Sequence, residues 1–131
     1  MAISARPLVL VVEDDLGIRD LLEKFLRLQG FETCSADSAS AALDVFRARH
    51  PSAAVVDLRL REGTGSEVVA SIPSAIPVII YSGAPSESSG LEQFRPNTLL
   101  IAKPFSLTML GETLRKMMRA RPARNTDGDA S

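Results

Sequence analysis

The chain has 131 residues, 45% of them hydrophobic, and 15 basic against 16 acidic side chains leave a net charge of −1. That length suits one domain able to bury about two thirds of its unfolded surface, so it needs neither disulfides nor a structural metal to fold. Balanced charge argues against an electrostatic footprint for nucleic acid or an anionic membrane, and no apolar run is long enough to span a bilayer. Residues 1–7 lack the apolar core of a signal peptide, so the chain reads as soluble and cytoplasmic.

Leu8-Val9-Leu10-Val11-Val12 is an uninterrupted apolar strand that ends in acid, Glu13-Asp14-Asp15. Ile18, Leu21, Leu22, Phe25 and Leu26 then recur at helical spacing, with Asp15 available as a cap and Gly30 placed to end the helix. Phe31 to Ser35 alternate apolar and polar, as a half-exposed strand does, and the single cysteine within it, Cys34, reads as a small buried hydrophobe. Ser38 can cap a helix carrying Ala39, Ala42, Leu43 and Phe46 on one face; it ends near His50, before Pro51.

Ala53-Ala54-Val55-Val56-Asp57 reads as a strand buried on both faces, followed by a loop that runs to Gly65. Residues 66–72 predict a short helix closed by Pro73 and Pro77, and Pro77-Val78-Ile79-Ile80-Tyr81 a further buried strand ending at Ser82-Gly83-Ala84-Pro85. The segment 86–96 is polar and contains Gly90, which makes it a weak helix. Leu99 to Ala102 form the last strand, ending at Lys103-Pro104. Ser106 then caps a helix with Leu107, Leu110, Leu114, Met117 and Met118 inward, and Met109 is assigned to core filling with them. The expected division is a domain over residues 1–120 and a polar, disordered tail or linker over 121–131.

Five strands, each followed by a helix, call for a parallel sheet with helices on both faces, an α/β architecture. Right-handed crossovers place the C-terminal strand ends on one edge, and four of those ends carry Glu13-Asp14, Asp57, Ser82 and Lys103. Carboxylates converging without a counter-charge repel strongly: two at about 4 Å cost about 4 kcal/mol at an effective dielectric near 20. Either some are protonated or a cation sits among them. An all-oxygen set with room for water and phosphate describes Mg²⁺ better than a closed Ca²⁺ cage or a zinc site. With Lys103 and Ser82 added, the set suits phosphoryl transfer to an aspartate.

On these residues the chain resembles the receiver domains of two-component response regulators, the CheY-like family. The matching pieces are Val11 to Asp15, residues 51–57, Gly65 eight positions after Asp57, Ile80-Tyr81-Ser82-Gly83 and Ala102-Lys103-Pro104-Phe105. The resemblance implies a flavodoxin-like, doubly wound five-stranded sheet of order 2-1-3-4-5 and a cis bond before Pro104. It also implies roles: Asp57 as phosphoacceptor, Glu13, Asp14, Asp57 and the Arg59 backbone carbonyl as Mg²⁺ ligands, Ser82 as switch hydroxyl and Lys103 as binder of the phosphoryl oxygen. The implied partner is a sensor histidine kinase or a histidine phosphotransfer protein, with no external substrate turned over. Arg59 and Ala84 occupy positions that tune hydrolysis of the phosphoryl group in the family, and Gly83 leaves the cleft open to the donor. Two positions depart from the pattern. Arg61 stands where proline is usual, leaving the loop less restrained in φ, and Leu100 replaces an aromatic switch side chain.

A charged hydrogen bond from Ser82 is worth about 1.5 to 3 kcal/mol, short of the 5.5 or so needed to invert a two-state balance, so reorganisation of residues 86–94 or partner binding is expected to supply the rest. The alternative function is a phosphorylation-independent pseudo-receiver that only binds partners; the complete acid, serine and lysine set speaks against it. A flavin-binding electron carrier of the same topology would need a phosphate cradle where Glu13-Asp14-Asp15 would repel one. A dehalogenase-like phosphatase would need an Asp-x-Asp pattern that the first strand lacks. The chain then acts alone through protein contacts, or belongs to a DNA-binding regulator or a hybrid sensor kinase.

Overall fold

In the computed structural model, which describes residues 6–83, 90 and 95–119, the expected strands are all present. They are β1 (Leu8–Val12), β2 (Glu32–Ala36), β3 (Ala53–Asp57), β4 (Val78–Ser82) and β5 (Thr98–Ala102). All pair in parallel in the order β2-β1-β3-β4-β5. The strand order reverses between β1 and β3, and a crevice opens there at the C-terminal strand ends. The helices are α1 (Leu16–Leu28), α2 (Ala39–Arg49), α3 (Gly65–Ser71) and α4 (Leu107–Arg119). The weak helix expected over 86–96, its proposed mobility, Ala84 and the expected tail all fall wholly or largely outside the described residues.

Alternation along the strands divides the core in two. Leu10, Val12, Ala54, Val56 and Ile80 face α2 and α3, where Ala39, Ala42, Val68 and Val69 cover them. Val9, Val11, Val55, Ile79 and Tyr81 face the other way, against Leu22 and Leu26 of α1 and Leu110 and Leu114 of α4. Each fully buried side chain of this size contributes about 1.5 to 3 kcal/mol. The sheet is therefore held from both sides, and its strand ends are rigid supports.

The helix ends follow their sequence signals. Asp15 caps α1 by accepting from the Ile18 N–H at 2.9 Å. Gly30, at φ 102°, closes it: its own N–H reaches the Arg27 carbonyl and the Phe31 N–H reaches that of Leu26, each at 3.1 Å. Ser38 caps α2, and α3 carries a capping box between Thr64 and Glu67. At seven residues α3 is short, as expected from the two prolines behind it.

Two apolar assignments need correction. Ile18 and Leu21 belong to the helical stripe of α1 yet are 39% and 54% exposed, because the sheet covers only the stripe through Leu22 and Leu26. Met109 is 60% exposed rather than core filling; it sits one position before the inward-facing Leu110.

Candidate functional site

The site is assembled at the C-terminal edge of the sheet from the ends of β1, β3, β4 and β5. Glu13 and Asp14 directly follow β1, Asp57 closes β3, Ser82 closes β4, and Lys103 directly follows β5. One carboxylate oxygen each from Glu13, Asp14 and Asp57 lies within 4.8 Å of the others. The Lys103 ammonium stands 3.5 Å from Asp57 Oδ2. Asp57 is 6% exposed and Glu13 1% exposed, so the cluster is largely withdrawn from water.

Backbone contacts set the geometry. The Arg59 N–H donates to Asp57 Oδ1 at 3.2 Å, and Arg59 forms an antiparallel bridge with Thr64 that folds the intervening loop back. The loop returns at Gly65, whose N–H donates to the Leu58 carbonyl at 2.9 Å. A Cβ at position 65 would run into the Asp57 carbonyl and stand 2.8 Å from Leu58 Cα, so this close approach requires glycine. At position 83 the opposite holds: a Cβ would meet nothing within 4 Å among the described residues. The Lys103 N–H donates to the Ser82 carbonyl at 2.8 Å, joining the two strand ends, and the Lys103–Pro104 bond is cis. Ser82 is buried, at 1% exposure.

Arg61, where the family pattern has proline, makes two contacts with the acidic cluster. Its N–H donates to Asp14 Oδ2 at 2.9 Å and its guanidinium Nε lies 3.7 Å from the same oxygen. Proline has no N–H to give, so arginine exchanges a fixed φ for a hydrogen bond to the acidic cluster. Leu100 is half-buried and packs with the core on the α2–α3 side of the sheet.

The residue that sequence reasoning passed over is Tyr81. Its hydroxyl donates to Glu13 Oε1 at 2.6 Å, its ring meets Phe105 edge-on at 5.4 Å, and Lys103 Nζ lies 5.0 Å from the ring centroid. The signal was a phenol within an aliphatic strand, since a buried tyrosine hydroxyl needs a partner. Burial raises the Glu13 carboxyl above its usual 4.5, opposed by hydrogen bonds from Tyr81 and the Asp15 N–H and reinforced by the Asp57 charge. Burial likewise pushes the Tyr81 phenol up, further raised by Glu13, so it stays a donor.

With the Lys103 ammonium beside Asp57 and the exposed Arg61 guanidinium beside Asp14, the three carboxylates still form an acidic cluster, and its all-oxygen donor set fits Mg²⁺. The family model of the response regulator receiver domain matches residues 9–115. The chain belongs to that family. Transcriptional regulatory protein PrrA of Mycobacterium tuberculosis is 33% identical over 121 residues, covering 88% of this chain and 51% of the relative. Regulatory protein VirG of Agrobacterium fabrum is 31% identical over 119 residues, covering 88% of the chain and 47% of the relative. Regulatory protein AtoC of Escherichia coli is 28% identical over 115 residues, and the match spans 85% of the chain but 25% of AtoC. The receiver domain thus spans about half or less of the length of these curated relatives. Among solved structures, a CheY-like receiver domain from Methanospirillum hungatei superposes with a TM-score of 0.79 at 21% identity, covering 93% of this chain and all of that one, which supports the fold. The receiver domain of NtrX from Brucella abortus gives 0.76 at 26% identity over 86% of this chain and 98% of that one. Among the described residues of this receiver domain, no helix is long and apolar enough to cross a membrane.

Proposed function

We propose that this receiver domain is a phosphoacceptor switch in which Asp57 takes a phosphoryl group from the phosphohistidine of a sensor histidine kinase or phosphotransfer protein. The observation that carries this reading is Asp57 itself: a buried carboxylate 3.5 Å from an ammonium, beside two further carboxylates on a neighbouring strand end. Glu13, Asp14, Asp57 and the Arg59 backbone carbonyl would hold Mg²⁺. Bound there, the ion supplies charge stabilisation for the oxygens of the moving phosphoryl group.

The chain's own residues do the rest. Asp57 attacks phosphorus in line as the bond to the donor imidazole breaks, the Arg59 N–H orients the attacking carboxylate, and Lys103 balances charge on the phosphoryl oxygens. Gly83, with nothing among the described residues where a Cβ would stand, leaves room for the donor. Ser82, buried at the end of β4, bonds the phosphoryl group through its hydroxyl in this reading and so pulls the segment after it. No external substrate is turned over; the outcome is a change in protein contacts.

Incubation with Mg²⁺ and acetyl phosphate tests this by mass. Wild type gains one phosphoryl group and Asp57→Asn gains none. A wild type that never gains mass while remaining folded makes the chain a phosphorylation-independent binding module instead.

A further inference from the structure

The phenol at position 81 is out of keeping with its strand. Val78, Ile79 and Ile80 fill the core with hydrocarbon, and a further aliphatic residue would do the same without the cost of burying a hydroxyl. Tyr81 is instead fully buried and spends its hydroxyl on Glu13 Oε1, 2.6 Å away. The other oxygen of that carboxylate, Oε2, accepts from the Asp15 N–H at 3.1 Å. One bond to each oxygen fixes the plane of the carboxylate while leaving each oxygen a second lone pair. The ring that carries the hydroxyl is itself held, with Phe105 at its edge and the Lys103 ammonium 5.0 Å from its centroid. A single side chain therefore touches one member of the acidic cluster and the cation that balances it.

We propose that Tyr81 is a positioning residue of the metal site, orienting Glu13 for a divalent cation, and that its emission reports the site's occupation. The inference rests on the reading of Glu13 as a metal ligand given above. Partners that orient a ligand from behind are worth about 10 to 100-fold in metal affinity. The chain contains one tyrosine and no tryptophan, so its tyrosine emission comes from this residue alone.

The test uses the full chain, wild type and Tyr81→Phe, with Mn²⁺ binding read by water proton relaxation and folding by circular dichroism. The expected result is folded Tyr81→Phe protein that binds Mn²⁺ about tenfold more weakly. In wild type, Mg²⁺ is expected to change tyrosine emission saturably, at the concentration that displaces Mn²⁺. Equal Mn²⁺ affinity in the two folded proteins overturns the inference. Should Tyr81→Phe fail to fold, the wild-type emission decides: a saturable change supports the role and no change overturns it. Wild type that binds no Mn²⁺ removes the metal-site reading and this inference together. Wild type that binds Mn²⁺ and is phosphorylated on Asp57, with affinity unmoved in Tyr81→Phe, defeats the role of Tyr81 alone.

Discussion

At the N-terminal end of β4 and β5 the Arg95 guanidinium, 8% exposed, is enclosed by oxygen. It donates to the carbonyls of Pro73 at 2.6 Å, Ile76 at 3.0 Å and Ile72 at 3.3 Å, and to Thr98 Oγ1 at 2.6 Å. At the C-terminal end of the same strands, Glu13, Asp14 and Asp57 crowd together with Lys103 as the close counter-charge to Asp57. Both ends bury charge. One surrounds a cation with neutral dipoles, which repel one another far less than full charges do, and so ties the α3–β4 connection to β5. The other gathers like charges, whose mutual repulsion Lys103, Arg61 and the Tyr81 hydroxyl offset in part. Buried charge is thus satisfied in place where its partners are neutral dipoles, and is left short of counter-charge where they are other carboxylates.

The comparison makes opposite predictions for the two ends. Arg95→Met should cost about 3 kcal/mol in urea unfolding, because several carbonyls lose their donor at once. A loss below about 1 kcal/mol would reduce the arginine cage to packing. Gly65→Ala should cost about 2 kcal/mol by overpacking against Asp57 and Leu58, and should also weaken Mn²⁺ binding by shifting Asp57; unchanged stability would show that the loop yields freely.

Asp57→Asn should move stability the other way, gaining about 1 kcal/mol in metal-free protein at low salt as repulsion is relieved. Mg²⁺ at ten times its dissociation constant should stabilise wild type by about 1.4 kcal/mol. If Asp57→Asn is instead less stable than wild type without metal, the Lys103 pair outweighs the repulsion and the contrast between the ends fails.

Smaller effects sharpen the picture. Arg61 is 81% exposed at its side chain, and the pair it forms with Asp14 competes weakly with a cation, so Arg61→Ala should tighten Mn²⁺ binding by about two- to threefold. Cys34, on β2 and away from both ends, should react slowly with a thiol reagent until the chain unfolds, since burial raises its thiol above 9.0. With the folded value raised, its contribution to stability is present below pH 9.0 and is lost as pH climbs through the folded value. Rapid labelling of native protein at pH 8 would contradict this.

Much of the site was readable because strand ends are local events. In β1 and β3 an apolar run that stops at a carboxylate marks both the strand and its functional end, and five short strands alternating with helices leave few topologies. Glu13, Asp14, Asp57, Ser82 and Lys103 came together for that reason, and Ser38, Asp15 and Gly30 act at helix ends through neighbours a few residues away. Tyr81, Arg95 and the contact of Arg61 with Asp14 were not readable in the same way. Their partners lie 68, 23 and 47 positions away, for Glu13, Ile72 and Asp14 in turn. The order and periodicity of the segments determined an α/β domain with acids gathered at one sheet edge. Which carboxylate is held by a phenol follows from the strand order that brings β1 and β4 to either side of β3, and which carbonyls are held by an arginine follows from the pairing of β4 with β5, choices made by long-range packing.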